Sequence, residues 1–268
     1  MRAWTDERVW DAVDEWRWIP PSANKVVTPE YELAVTPGSY ALTYVYGFHV
    51  ESGLLVEERL EALRHQIESL GGTGARIQLT PRTRPENLAA YLTRVGYKLG
   101  EEAEVLFWLL VDSGGKFSLP DFRSVEGITV REANSESEYK AIRRLTSSIF
   151  GDPPLSGESE KAFTDAFHQR IREHGHSDRF VAWDAGMPVG IAGLEIADRV
   201  GRLFGSGVLP SHRGRGVYGQ LVRARCEEAS LRGAEIGLVT ARSGTSGPIL
   251  KHHGFRPVGS LRIYEVRW

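Results

Sequence analysis

The sequence predicts an α+β protein built in two related parts, each a mixed, mostly antiparallel sheet flanked by helices. Three observations carry this expectation. Short β-rich runs alternate with amphipathic helical stretches along the chain. Its 268 residues lie near the ~250–300 at which a single core stops growing and chains divide. One order of elements also occurs twice: helix, strand, helix, Gly-aromatic, strand. Gly96-Tyr97 and Gly254-Phe255 occupy matching places in the two series, about 158 residues apart.

The first series opens with a helix over 5–17, where Thr5 is the N-cap and Asp6 and Glu7 suit the positive end of the helix dipole. A Pro-rich stretch from Ile19 to Asn24 stops it. YELAVT (31–36) and YALTYVYGF (40–48) read as a hairpin around Pro37-Gly38. Residues 56–70 have a helical apolar period through Leu60, Leu63 and Ile67. A strand (75–80), a helix with Pro near its start and Gly96 past its end (85–97), and an apolar strand (104–111) complete the series.

Residues 113–127 lose periodicity and gather Gly, Ser and Pro, so they read as a linker. This gives a domain over 1–112 and another over 128–268. The second series runs strand 128–133, helices 138–150 and 159–174, then strands 179–185, 189–197 and 201–209. A Gly-rich turn opens helix 215–232, followed by strand 236–241, helix 246–254 and strand 262–268.

Composition narrows the function class. With 33 basic and 35 acidic residues the net charge is −2, which argues against nucleic acid or an anionic membrane as the main partner. The single Cys226 forms no internal disulfide and fits a reducing compartment. The polar start MRAWTDERVWDAVDEW has no apolar h-region, and no apolar run approaches the ~20 residues of a membrane span. A cytoplasmic location is therefore expected.

The most informative segment is Val208-Leu209-Pro210-Ser211-His212-Arg213-Gly214-Arg215-Gly216-Val217-Tyr218-Gly219. It follows a strand and opens a helix, a junction where several backbone N–H groups are free and the dipole is positive. A phosphate or pyrophosphate is the natural guest, with Arg213 and Arg215 adding charge. The segment is neither a P-loop nor a dinucleotide fingerprint. It resembles the acyl-CoA-binding motif of the GNAT superfamily of N-acetyltransferases, V-x-P-x-x-[QR]-x-x-G-x-[GA], with Arg213 at the Gln/Arg position and Gly216 at the central Gly. Tyr218 departs from the final Gly/Ala, and Gly219 follows it.

The resemblance covers about 128–268, and the first half resembles a degenerate copy without the loop, as in the tandem type of that superfamily. It implies acetyl-CoA as co-substrate. Backbone groups around Val208 and Leu209 would take the pantetheine arm, and the loop from Arg213 through Gly214, Arg215, Gly216, Val217 and Tyr218 to Gly219 would take the pyrophosphate. Ser246, at the start of a helix, joins this cofactor-binding set. The acceptor would be a primary amine of a small molecule, acetylated directly in a ternary complex.

An amine of pKa ~10.4 lies about 3.4 units from neutrality at pH 7, or ~4.6 kcal/mol, so a base must take its proton. Glu195 on strand 189–197 is the candidate base. The superfamily's usual acid, a Tyr before Gly-Phe, is replaced by Leu250. Tyr264 is the first substitute, with Tyr218, His252 and Ser246 behind it. No metal site is expected, His174, His176 and Asp178 lacking a fourth ligand nearby. Two alternatives stand beside this reading: a non-catalytic acyl-CoA-binding regulator, and an acyltransferase using another acyl group.

Overall fold

The computed structural model describes residues 3–17, 19, 23–36, 42–50, 56–112, 114–151 and 157–268. The elements in chain order are α1 (Asp6–Asp14), β1 (Asn24–Val27), β2 (Glu32–Val35), β3 (Thr43–Tyr46), α2 (Val56–Ser69), β4 (Gly74–Leu79), α3 (Leu88–Arg94) and β5 (Lys98–Leu109). The second series is β6 (Ile128–Glu132), α4 (Glu136–Phe150), α5 (Gly157–His174), β7 (Arg179–Asp184), β8 (Met187–Ala197) and β9 (Val200–Val208). A 3-10 turn at Pro210–His212 leads to α6 (Val217–Leu231), β10 (Ile236–Arg242), α7 (Ser246–His252) and β11 (Arg256–Arg267). Among the described residues no helix is long and apolar enough to cross a membrane.

Local chemistry explains most boundaries. Thr5 Oγ1 accepts from Arg8 N at 3.4 Å, so α1 starts where a capping hydroxyl stands. Ser135 and Glu138 form a capping box at the start of α4, and Gly151 ends it in the left-handed region. The hairpin expected at 31–48 is seen as β2 antiparallel to β3; its Pro37-Gly38 turn lies outside the described residues. The Pro-rich stretch hid β1, which pairs antiparallel with β2. Helix α3 starts at Leu88, three residues after Pro85, because residues 85–87 form a turn.

The chain divides into two compact units, and neither follows a single cut at 113–127. The larger takes Met1–Val9, Leu106–Thr240 and Pro248–Pro257; the smaller takes Trp10–Val105, Ala241–Gly247 and Val258–Trp268. The reason is strand pairing. In the smaller unit the order is β1-β2-β3-β4-β11, and β11 runs antiparallel to β4 with Arg262 opposite Leu79 and Arg267 opposite Gly74. In the larger unit the order is β5-β10-β9-β8-β7-β6. The smaller unit thus contains most of β11, the closing strand of the second series, and β5 is divided, with Lys98–Val105 in the smaller unit and Leu106–Leu109 in the larger, which a linear reading of 1–112 and 128–268 does not capture.

Both series nevertheless run in one order. A parallel pair joined by a crossing helix, β3-α2-β4 or β9-α6-β10, precedes a helix and a long strand. The sheet of each unit is mixed and mostly antiparallel, as expected from the sequence. The smaller core gathers Leu33, Val45, Leu63, Ile67 and Ile77 with Tyr264. In the larger unit, α6 buries Val217, Leu221, Val222, Cys226 and Ala229.

Burial pushes the Cys226 thiol up to about 12, so at pH 8 the thiolate fraction is about one in ten thousand. Cys226 is therefore expected to ignore a thiol-exchange reagent in the folded protein and to titrate as one thiol per chain in denaturant. Prompt labelling of the native chain would contradict this packing.

Candidate functional site

The Gly-rich turn is preset by its own bonds. Beyond Val208, Arg213 is extended while Gly214 and Gly216 take φ of +72° and +79°. A left-handed φ is costly for residues with a Cβ, so these positions call for glycine. Gly216 is the N-cap of α6 and supplies no side-chain cap. The first N–H groups of α6 are thus left for solvent or a ligand at the positive end of the helix.

Neighbouring polar groups hold the turn. Arg213 Nε donates to Val208 O at 3.2 Å. Asp184, the last residue of β7, meets Arg215 Nη2 at 3.0 Å and His212 Nε2 at 3.4 Å. On its other nitrogen, His212 Nδ1 shares a hydrogen bond with Ser211 Oγ at 2.8 Å. One carboxylate therefore anchors two residues of the turn.

The turn forms one side of a cleft of about 880 Å³. Ile249 and His252 of α7 and His253 just after it contribute a second side, and Asp121, Phe122, Arg123 and Val125 a further one. Next to it, β9 pairs in parallel with β10 over Val200–Arg202 and Ile236–Leu238. From Leu203 to Val208 that edge of β9 has no strand partner among the described residues. Gly205 at φ +56° and a register shift between Ile191 and Gly193 bend β9 there.

Beneath this bend lies a buried cation. Arg225 on α6 is 1% exposed. Its Nε donates to Leu221 O at 2.9 Å, and its Nη1 donates to Gly193 O at 3.1 Å and Phe204 O at 3.4 Å. Burial pushes its pKa down to about 10, so the guanidinium stays charged at neutral pH. It ties the helix to both strands where the register shifts.

Of the expected cofactor residues, Val208, Arg213, Gly214, Gly216, Val217, Tyr218 and Gly219 line the cleft. Three do not. Leu209 gives its N–H to Val189 O and packs against the core beneath α4 and α5. Arg215 turns to Asp184, and Ser246 begins α7 within a segment of the smaller unit.

Glu195 stands on β8 opposite Arg202 of β9, whose Nη1 lies 3.2 Å from Glu195 Oε1. The Glu195 side chain is 40% exposed, so its carboxylate reaches water, but it is not among the residues that line the cleft. Tyr264 departs from expectation. It pairs with Ile77 and packs in the core of the smaller unit, because β11 joins β4, and it is not among the cleft residues. Leu250, at the place of the usual acid, is fully buried.

Four further contributors were not singled out from the sequence: Asp184, Phe122, His253 and Arg225. Arg225 had a readable signal, a charge on the apolar stripe of Leu221, Val222, Cys226 and Ala229. The His176–Asp178 pair meets Glu132, with ligand atoms within 4.8 Å. Arginines already supply positive charge there: Arg170 and Arg232 contact Asp178, and Arg232 also reaches Glu132 at 3.2 Å.

Residues 140–247 match the acetyltransferase (GNAT) family. The match runs from within α4 through β10 and so contains the Gly-rich turn and the bent edge of β9. Over 90 residues the chain is 34% identical to "Uncharacterized N-acetyltransferase YjcF" of Bacillus subtilis; the match covers 34% of this chain and 64% of that relative. In fold, a GCN5-related N-acetyltransferase from Sphaerobacter thermophilus superposes with a TM-score of 0.65 at 19% identity, over 96% of this chain and 85% of the other. A tandem GNAT protein from the clavulanic acid biosynthesis pathway superposes at 0.58 and 15% identity, over 97% and 87%. The chain thus has a GNAT-like α+β fold.

Proposed function

We propose that the chain is an acetyl-CoA-dependent N-acetyltransferase whose acceptor is a primary amine of a small molecule. The observation that carries this reading is the uncapped start of α6, framed by Gly214 and Gly216 and opening into a cleft of about 880 Å³. The residues fit the group. Backbone N–H donors and Arg213 suit a pyrophosphate, and the partnerless edge of β9 offers amide groups to a pantetheine arm. The repeated order of elements, and the likeness to a tandem protein, support reading the N-terminal series as a degenerate copy.

Acetyl-CoA supplies the activated acyl group as a thioester. The ammonium gives up one proton to become the nucleophile, its nitrogen bonds to the carbonyl carbon, the C–S bond breaks, and the second nitrogen proton passes through solvent to the departing CoA thiolate. Glu195 is the base in this reading, taking the amine proton through water, and an N–H along the free edge of β9 polarises the carbonyl. No side-chain acid is assigned, since Leu250 cannot donate and Tyr264 is committed to the other core.

Calorimetry with acetyl-CoA and a thioester-cleavage assay over an amine panel test the reading. Sub-millimolar binding and turnover on at least one amine are expected. Binding without turnover would favour a regulator, and no binding would end the proposal. Glu195→Gln is expected to lower kcat by about 10²-fold with little change in the KM for acetyl-CoA.

A further inference from the structure

We propose that the segment Asp121–Val125, which precedes the family-matched residues, is a built wall of the cofactor cleft, and that Arg123 takes the ribose 3′-phosphate of acyl-CoA. The proposal rests on the acyl-CoA reading above. Its basis is a stretch whose composition reads as linker but whose contacts do not. Phe122 is 4% exposed. Its ring lies 4.0 Å from that of His253 just after α7. On its other flank it covers Gly219 so closely that a Cβ there would come within 2.4 Å of Phe122 Cδ1.

The backbone is held as firmly. Three consecutive carbonyls each meet a side chain from α6 or from the turn just after α7. Asp121 O accepts from His253 Nδ1 at 2.8 Å, Phe122 O from Arg223 Nη1 at 3.2 Å, and Arg123 O from Gln220 Nε2. Val125 lies over Gly216, where a Cβ would approach Val125 Cγ2 at 2.8 Å. Ordering a loop costs about 1–2 kcal/mol per residue in backbone entropy. A passive connector would have no need of so many contacts.

With Phe122 turned inward, the flanking side chains of Asp121 and Arg123 are exposed on the cleft wall. Arg123 has no acidic partner among the described residues. Acyl-CoA carries two separate anionic groups, a pyrophosphate and a phosphomonoester on the ribose. The N–H groups of the turn and Arg213 suit the first. A further cation on the same cleft suits the second, and a guanidinium matches a phosphate with paired donors. Asp121 is the acid among the lining residues and opposes a misplaced anion.

The test compares acetyl-CoA with 3′-dephospho-acetyl-CoA by calorimetry, on the full chain and on Arg123→Gln. The unsubstituted protein is expected to prefer acetyl-CoA by about tenfold. Arg123→Gln should bring that preference within about twofold while leaving the dephospho ligand unaffected. Because Arg123 is exposed, folding is not at stake. Phe122→Ala, checked by thermal melting, should weaken both ligands alike. Equal binding of both ligands by the unsubstituted protein, or a full preference kept by Arg123→Gln, would overturn the proposal and leave the acyl-CoA reading standing. Binding of neither ligand would remove both.

Discussion

Gly216→Val is expected to abolish acetyl-CoA binding at concentrations where the parent chain saturates. Two costs meet at this position. A β-branched residue at φ +79° is a backbone outlier worth about 1–3 kcal/mol. Its Cβ would also stand 2.8 Å from Val125 Cγ2, a distance real Cβ contacts essentially never show. The chain relieves both by leaving the left-handed region, which swings the first N–H groups of α6 off the cleft. Each hydrogen bond to a charged phosphate contributes about 1.5–3 kcal/mol, so losing two lowers affinity by more than about 100-fold. Gly96→Val is the matched control: φ there is +95°, yet a Cβ meets nothing within 4 Å, and the site lies in the smaller unit. That variant should lose melting temperature and keep binding. Retained affinity in Gly216→Val would show that the turn is not the anion site.

The second large effect is expected from Arg225→Met. Replacing a buried ion by an apolar residue is sometimes neutral, because the desolvation of the charge is relieved. Here the partners are main-chain carbonyls of Gly193 and Phe204, which the substitution cannot remove. Left without a donor in a dry interior, each costs about 1–3 kcal/mol. Methionine fills much of the volume, so a cavity adds little. A net loss of about 2–4 kcal/mol follows, and at this chain length it lowers Tm by roughly 5–15 °C. Scanning calorimetry reads the shift directly. An unchanged Tm would mean that water or local rearrangement satisfies both carbonyls.

Much of this was legible beforehand, for definite reasons. The second series is strongly periodic, and its turn contains glycines that nothing else can replace, so elements and turn were both found. Strand β1 was missed because a Pro-rich approach masks four residues of extended chain. Tyr264 was misplaced because strand pairing is not local: nothing within RIYEVRW says that its partner is β4. Phe122 went unnoticed because burial of one aromatic ring by two distant helices leaves no period in its own segment. Asp184 ends β7 just before the Ala185-Gly186 turn, where an aspartate is commonplace.

The closing strands have a consequence for how the molecule can come apart. A cut within 113–127 severs one peptide bond but does not yield two self-sufficient pieces. The C-terminal piece would carry β11 without β4 and would lack Leu106–Leu109. The N-terminal piece would present β4 as a bare edge, open to any other strand. Unlike beads on a string, the two stretches of chain on either side of 113–127 cannot be expressed apart without leaving a sheet incomplete.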